Sequence, residues 1–461
     1  MKYQAYSEYK DSEVEWADLL PKHWAKVSLR WISKLYAGGT PSKTVEEFWE
    51  NGTVPWLNSG EVNQGLVTYA STYITEEAYK KSSAKWIPKN SLVIALAGQG
   101  KTKGMVAQLA IDTTCNQSMA AIVPNNFVDS RYLYWWLTSN YQNIRNLAGG
   151  DLRDGLNLEL IGNIECPIPS DEEKKTIANF LDHETAKIDT LIEKQRQLIQ
   201  LLKEKRQAVI SHAVTKGLNP DVPMRDSGVE WLGEVPEHWT VKRVKLLSTL
   251  ISKGTTPSTI GGDFVDSGVR FLKAENIGKS LSVSRHPEFF ITEKVNLKIS
   301  RSQLENGDVL VIIAGATTGL SSILEKKLLP ANTNQAVSFI RPIQKNHSKL
   351  IARWLSTEFS QRIIWMRAVQ AAQPNLSMED LGNIPIATPP DQELFDIMKK
   401  VDDKLSKLDL LITKAELAIQ FMQERRTALI SAAVTGKIDV RNRQTPDSML
   451  SNNQTDKEVA A

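Results

Sequence analysis

The stretch Asp11 to Trp24, DSEVEWADLLPKHW, returns at Asp226 to Trp239 as DSGVEWLGEVPEHW, identical at 8 of 14 positions including two tryptophans and a proline. The correspondence continues with a slowly drifting offset. Gly39-Thr40-Pro41 falls on Thr255-Thr256-Pro257, Val93 to Gly98 on Leu310 to Gly315, and Asn116-Gln117 on Asn334-Gln335. Gly162-Asn163-Ile164 then falls on Gly382-Asn383-Ile384, and AVISHAVTKG at Ala208 to Gly217 on ALISAAVTGK at Ala428 to Lys437. A solenoid needs at least three short repeats; two long copies indicate a pseudo-symmetric tandem duplication.

Each copy divides into a mixed segment followed by a helix. The apolar runs at 92–96 and 309–313, bounded by Gly, Asn and Pro, read as buried strands. Short helices are predicted over 132–138 and 350–357. The later part opens at an acidic cap, Ser170-Asp171-Glu172-Glu173 or Pro390-Asp391-Gln392-Glu393, where carboxylates favour a helix N-terminus. About 44 residues without Gly or Pro follow.

Within the first of these helices, Ile177, Leu181, Glu184, Ile188, Leu191, Gln195, Leu198, Leu202, Lys205 and Val209 step by four and three, as a heptad seam does. The second repeats the pattern at Ile397, Val401, Lys404, Leu408, Leu411, Ala415, Ala418, Met422, Arg425 and Leu429. At 1.5 Å per residue each helix reaches roughly 66 Å, too long for one small globule to cover. Equal length and matching seams predict that the two pair with each other, antiparallel. The expected fold class is α+β: two pseudo-symmetric α+β domains joined by two long helices that form an antiparallel coiled coil. The expected boundaries are a first domain over 1–170, a first spacer helix over 171–217, a linker and second domain over 218–390, a second spacer helix over 391–440, and a disordered polar tail over 441–461.

A chain of 461 residues with 41% hydrophobic and 24% charged side chains has enough apolar surface for several cores and is not a disordered sequence. No apolar run reaches the ~18 residues that cross a bilayer, and the start, MKYQAYSEYKDSEVEW, lacks the apolar stretch of a signal peptide, so a cytoplasmic protein is expected. Cys115 and Cys166 form no CxxC or Cys/His cluster and read as reduced core residues. The net charge of +3 does not announce a nucleic-acid partner by itself. Residues 232–390 hold 19 basic and 13 acidic side chains, residues 17–170 only 14 and 13, so the second segment carries the larger basic excess.

Two stretches imitate catalytic motifs. Ala95-Leu96-Ala97-Gly98-Gln99-Gly100-Lys101-Thr102 follows an apolar strand and satisfies a relaxed phosphate-loop pattern, with Ala for the first Gly. A true P-loop opens a helix. Here Lys103-Gly104-Met105-Val106-Ala107 looks like a turn into another strand, and the duplicate Ala314-Gly315-Ala316-Thr317-Thr318-Gly319 has no lysine. Pro390-Asp391 with Asp402-Asp403-Lys404 mimics the spacing of a metal-dependent nuclease, yet these residues lie along one helix, whereas such carboxylates must converge on a metal. His23 and His238 repeat within the P-x-H-W turn and read as structural groups. No HExxH, nucleophile elbow, dinucleotide fingerprint or amino-methyltransferase tetrapeptide occurs. The chain reads as non-catalytic, with no catalytic, cofactor-binding or metal-binding residue assigned.

A P-x-H-W entry, a globular segment, a G-N-I exit into a long helix, and the whole order again: this arrangement resembles the specificity subunit of type I restriction-modification systems, over residues 11–440. The resemblance implies two target-recognition domains, each reading one half of a split sequence in double-stranded DNA, and a coil that sets the gap between the halves. It implies two methyltransferase subunits docked around the coil and translocating restriction subunits outside them. S-adenosylmethionine, ATP and Mg would then belong to those partners and none to this chain.

Loops on a rigid scaffold can reach bases, so polar loop residues are the candidate readers. In the first copy these are Asn58, Ser59 and Glu61, then Gln99, Lys101 and Lys103, and the Gly149-Gly150 turn with Asp151, Arg153 and Asp154. In the second they are Lys273, Glu275 and Asn276, then Thr317 and Thr318, and Gln370, Gln373 and Asn375. The repeated Asn116-Gln117 and Asn334-Gln335 read as turn supports, because self-similar positions are poor candidates for different specificities. Two other classes stay open: an ATPase using the Lys101 loop, whose nucleotide binding Lys101→Ala would abolish, and a coiled-coil scaffold without DNA specificity.

Overall fold

The computed structural model describes residues 3–98, 100–148, 155–278, 280–368 and 374–443. Four helices organise the chain: α1 (Asp129–Ser139), α2 (Asp171–Lys216), α3 (His347–Leu355) and α4 (Asp391–Val434). Residues 1–195 with 417–461 make one compact unit and residues 196–416 the other. Sequence repeat and compact unit therefore do not coincide, since each unit takes one part of α2 and one part of α4.

The first unit is built on strands β1 (Ser33–Ala37), β2 (Val54–Leu57), β3 (Leu66–Val67), β4 (Thr72–Ile74), β5 (Leu92–Ala95), β6 (Val106–Leu109), β7 (Thr114–Cys115) and β8 (Met119–Pro124). They form a five-stranded sheet in the order β1-β8-β5-β6-β3 and a three-stranded sheet in the order β7-β2-β4. Strand β5 is a continuous apolar run because both its faces are covered. Leu92 and Ile94 join a core with α1 and the long helices, while Val93 and Ala95 face a second core with Leu57, Val67, Cys115 and Met119.

The second unit repeats this plan with β9 (Ser248–Lys253), β10 (Phe264–Val265), β11 (Val269–Leu272), β12 (Phe290–Ile291), β13 (Val309–Ile312), β14 (Ser321–Ile323), β15 (Ala331–Thr333) and β16 (Val337–Pro342). Its sheets run β9-β16-β13-β14 and β10-β12-β11-β15. In β13, Val309 and Val311 face the helices, and Leu310 and Ile312 face the second core. This is the period of two that a strand imposes.

The long helices run antiparallel within each unit. In the first, Ile177, Leu181, Ile188 and Ile192 of α2 share a core with Leu429, Ile430, Ala433 and Val434 of α4, and Arg426 Nε lies 2.9 Å from Asp189 Oδ1. In the second, Leu202, Ile210 and Val214 share a core with Leu394, Val401 and Leu408, and Arg206 Nε lies 3.0 Å from Asp409 Oδ1. The two ion pairs are equivalent under the repeat, Asp189 matching Asp409 and Arg206 matching Arg426. They correct the seam read from the sequence. Leu191, Leu198 and Leu411 are exposed, and Ile192 and Ile412 pack inward instead, while Leu202 packs inward as the seam expected. Arg206 and Arg426 engage the facing helix where Lys205 and Arg425 were expected. A second apolar residue at each of these steps offered two seams one residue apart, and the geometry of the facing helix selects one of them.

The repeated P-x-H-W turn clasps the start of a long helix. Glu173 accepts from His23 Nε2 at 3.0 Å, Trp24 Nε1 at 3.4 Å and Ser170 Oγ at 3.0 Å. Glu393 likewise accepts from His238 Nε2 at 2.7 Å and Trp239 Nε1 at 3.2 Å. The far end of the other long helix closes on the same tryptophans. Gly217, at φ +77°, lies over the Trp239 ring, and Gly436, at φ +69°, lies against Pro21 and Trp24, where a Cβ would have no room. Arg441 and Arg443, placed in the tail by the sequence reading, are instead anchored. Arg441 pairs with Asp439 at 2.7 Å and lies over Tyr6, and Arg443 lies over Tyr3. No helix among the described residues is long and apolar enough to cross a membrane.

Burial alone would raise the Glu173 carboxyl, but its hydrogen bonds from His23, Ser170 and Trp24 outweigh that and hold it below the usual carboxylate range. A depressed carboxylate contributes stability above its unfolded pKa and loses it as pH falls through its folded one. Glu173→Gln is therefore expected to lower stability by about 1–3 kcal/mol at neutral pH. The difference from the parent chain should narrow as the pH falls below about 4. Urea unfolding of the full chain across that range measures both.

Candidate nucleic-acid interface

In the first unit, five segments distant in sequence meet at the end of the sheets where β1, β2 and β5 finish and β8 begins. Backbone hydrogen bonds lock them together. Gly39 N donates to the Cys115 carbonyl at 2.8 Å, Asn116 N to Leu57 at 2.9 Å, Leu96 N to Ser118 at 2.8 Å, and Leu156 N to Leu96 at 2.9 Å. The second unit builds the same frame. Thr255 N donates to Thr333 at 3.1 Å, Ile313 N to Ala336 at 2.9 Å and Leu376 N to Ile313 at 2.8 Å, while the Thr333 hydroxyl reaches the Leu272 carbonyl at 2.9 Å. The frame gathers the loops after β2 and β5, with the segment entering at Gly155, and correspondingly the loops after β11 and β13 with Asn375.

The frame also sorts the side chains within those loops. Asn58 caps the turn that Ser59 opens, accepting from Gly60 N at 2.9 Å, and both remain partly exposed. Glu61 is buried and accepts from Asn58 N at 2.8 Å and Ser71 N at 2.6 Å. Asn276 takes the same role in the second unit, bonded to Lys273 N at 2.9 Å and the Pro287 carbonyl at 2.8 Å. Glu61 and Asn276 are thus loop supports, not readers, because buried backbone groups consume their hydrogen-bonding capacity. Lys103 is buried, and Thr318 is buried with its hydroxyl on the Gly315 carbonyl at 2.7 Å. Neither presents itself to a ligand.

Lys101, Glu275, Thr317 and Asn375 are exposed. Lys273 is half-buried between aromatic rings, its Nζ 4.3 Å from the centroid of Phe264 and 3.5 Å from that of Phe289. Gln99, Asp151, Arg153, Asp154, Gln370 and Gln373 lie outside the described residues. The sequence reading passed over Thr40 in the first unit and Thr256 in the second and took Gln117 and Gln335 for turn supports; all four are at least partly exposed. The repeated T-P and N-Q dipeptides were their visible signal. Asn116 does support its turn, with Oδ1 accepting from Ser118 N at 3.1 Å, but its neighbour Gln117 is exposed.

The Lys101 loop is a hairpin. Gly104 N donates to the Ala95 carbonyl at 2.8 Å, Ala95 N to Met105 at 3.0 Å, and the antiparallel strand β6 follows. A phosphate loop needs a helix N-terminus at that place, and β6 supplies none. Asp402 is held by Lys349 and Arg353, along the same helix as Asp403. The Cys115 and Cys166 thiols are buried and unpaired, and burial pushes the first up to about 12 and raises the second, so neither is a nucleophile near neutral pH.

A family model described as the type I restriction modification DNA specificity domain matches residues 21–201 and again residues 236–416. The specificity subunit of the Escherichia coli type I restriction enzyme EcoR124I/EcoR124II is 30% identical over 227 residues, 48% of this chain and 48% of that one, so the match spans about half of each. The MjaIX specificity subunit of Methanocaldococcus jannaschii is 23% identical over 453 residues, 95% of this chain and 98% of the relative. A solved chain from work on complex assembly and conformational transition of the type I R-M system superposes with a TM-score of 0.70 at 15% identity, over 91% of this chain and 99% of the other. The HsdS subunit from Thermoanaerobacter tengcongensis does so at 0.54 and 15%, over 91% and 98%. At these identities the superpositions speak for the fold.

Support and contact residues should separate experimentally. Glu61→Ala and Asn276→Ala leave buried donors or acceptors unpaired and are expected to cost about 1–3 kcal/mol each, read as a lowered thermal midpoint. Lys101→Ala should leave the midpoint unchanged. It should weaken DNA binding about equally on all sequences and reduce the salt slope by about one unit, as loss of a phosphate contact does.

Proposed function

Because the chain belongs to the type I restriction-modification DNA specificity family, we propose that it reads a bipartite sequence in double-stranded DNA, one half with each loop cluster, and carries two methyltransferase subunits on its long helices. The observation that carries the first part is one backbone frame built twice with different side chains: partly exposed Asn58 and exposed Lys101 on one unit, half-buried Lys273 and exposed Glu275, Thr317 and Asn375 on the other. Equal frames present loops to DNA in the same way, while unequal side chains read different bases.

The second part is supported by apolar residues left open on the long helices. Leu191 is 50% exposed and its repeat equivalent Leu411 49%; Phe421 is 63% exposed and its equivalent Leu201 62%. Leu191 and Phe421 belong to the first unit, Leu201 and Leu411 to the second. Two matched apolar faces fit two copies of one partner. In this reading the coil acts as the spacer between half-sites. Restriction subunits join outside the methyltransferases, and S-adenosylmethionine, ATP and Mg are bound by those partners. The chain contributes recognition and assembly without catalysis of its own, in the cytoplasm where the DNA lies.

Mapping methylated adenines genome-wide in cells carrying the chain with its methyltransferase tests the reading. The expected result is one bipartite motif; methylation without a motif, or none dependent on the chain, would refute it. For docking, Leu191→Asp with Phe421→Asp should leave one methyltransferase per chain, and adding Leu201→Asp with Leu411→Asp should leave none. Native mass spectrometry of the copurified complex counts the subunits, and two copies retained on the fourfold variant would rule these faces out.

A further inference from the structure

We infer that Gln117 and Gln335, each on the frame that also carries Thr40 or Thr256, form one phosphate-contacting point on each unit, which positions the duplex and reads no base. This rests on the proposed reading of DNA and names residues within it. The T-P and N-Q dipeptides are distant in sequence, yet both units bring them together. Gly38 N donates to the Met119 carbonyl at 3.0 Å and Gly39 N to Cys115 at 2.8 Å; Gly254 N donates to Val337 and Thr255 N to Thr333, both at 3.1 Å. A Cβ at Gly38 would overlap the carbonyls of Cys115 and Asn116, and one at Gly254 those of Thr333 and Asn334. Glycine thus permits the same close approach at the same place in both units.

The turns that carry the glutamines close through backbone groups, which place no demand on the glutamine side chains. Met119 N closes its turn on the Asn116 carbonyl at 3.1 Å, and Val337 N on that of Asn334 at 3.2 Å. Gln117 and Gln335 occupy the first inner position of these turns, and both are exposed. Around them the readers diverge, Asn58 standing where the second unit has Lys273, and Gly60 where it has Glu275. Side chains that stay the same amid divergence engage what every half-site shares, which is the sugar–phosphate backbone. The chemistry agrees. In the first unit the Thr40 hydroxyl donates to Gln117 Oε1, occupying one of that oxygen's two acceptor positions and leaving the N–H donors outward. A bidentate adenine contact needs acceptor and donor together, whereas a phosphate oxygen needs donors alone.

The test uses the full-length chain assembled with its methyltransferase subunits, on duplexes carrying the mapped motif and on single-base variants. Failure of the parent complex to discriminate them would overturn the DNA-reading assignment itself, separately from the glutamines. Given discrimination, Gln117→Ala and Gln335→Ala should each weaken binding by about 2–10-fold, equally on every duplex, with an unchanged motif and thermal midpoint. Gln117→Lys should restore affinity and steepen the salt slope by about 0.9. Relaxed preference at one base position, unaltered affinity, a lowered midpoint in the alanine variants, or lack of rescue by lysine would each overturn the proposal.

Discussion

In each unit the end of one long helix settles on a tryptophan whose indole is tied to the start of the other long helix. Trp24 bonds Glu173 at the head of α2, and Gly436, just past the end of α4, packs against it; Trp239 bonds Glu393 at the head of α4, and Gly217, just past α2, packs against it. The Tyr132 hydroxyl lies between the Pro167 and Val434 carbonyls, at 3.0 and 3.1 Å, so even the short helix of the first unit is fastened to the last turn of α4. Neither repeat, cut out as a stretch of sequence, contains its whole core. Buried Leu429, Ile430, Ala433 and Val440 complete the first unit from the far end of the chain.

That constraint explains where identity between the copies is concentrated. The entry turn, the helix caps and the last helical turns all touch this joint, and a change in one copy has to suit a helix belonging to both units. The loops on the sheet ends are freed from it, because their frame is made of backbone hydrogen bonds that tolerate different side chains. Repeated residues therefore do one of two jobs in this chain. Most close the fold; a few, such as Gln117 and Gln335, stay exposed on it and are open to a shared contact.

The architecture was legible because it rests on signals that do not depend on tertiary detail: a self-similar sequence, acidic caps at Asp171 and Asp391, and apolar strands at β5 and β13 buried on both faces. Which loop residues face outward was not legible. Glu61 and Asn276 occupy the same place as support residues, but carboxylate and amide are also what a DNA reader would use, and only burial tells the two apart. Thr318 follows exposed Thr317 and turns inward to bond its own loop. A hydroxyl beside glycine carries no mark in the sequence of which way it will face.

The one-residue error in the coil seam has a physical content of its own. The sequence supplies Leu191 beside Ile192 and Leu411 beside Ile412, so two apolar stripes lie about 100° apart on each helix. One stripe suffices to bury the facing helix, and the Arg426–Asp189 and Arg206–Asp409 pairs flank that same inward stripe. Exposed ion pairs contribute little net stability, yet charges of opposite sign in both units penalise a slipped register, which would separate them. The surplus leucines are then left outward at nearly equal exposure in the two units. Leaving such side chains in water has no benefit to the folded chain alone; the apolar stripe that defeats a simple seam assignment includes the leucines on which the docking proposal rests.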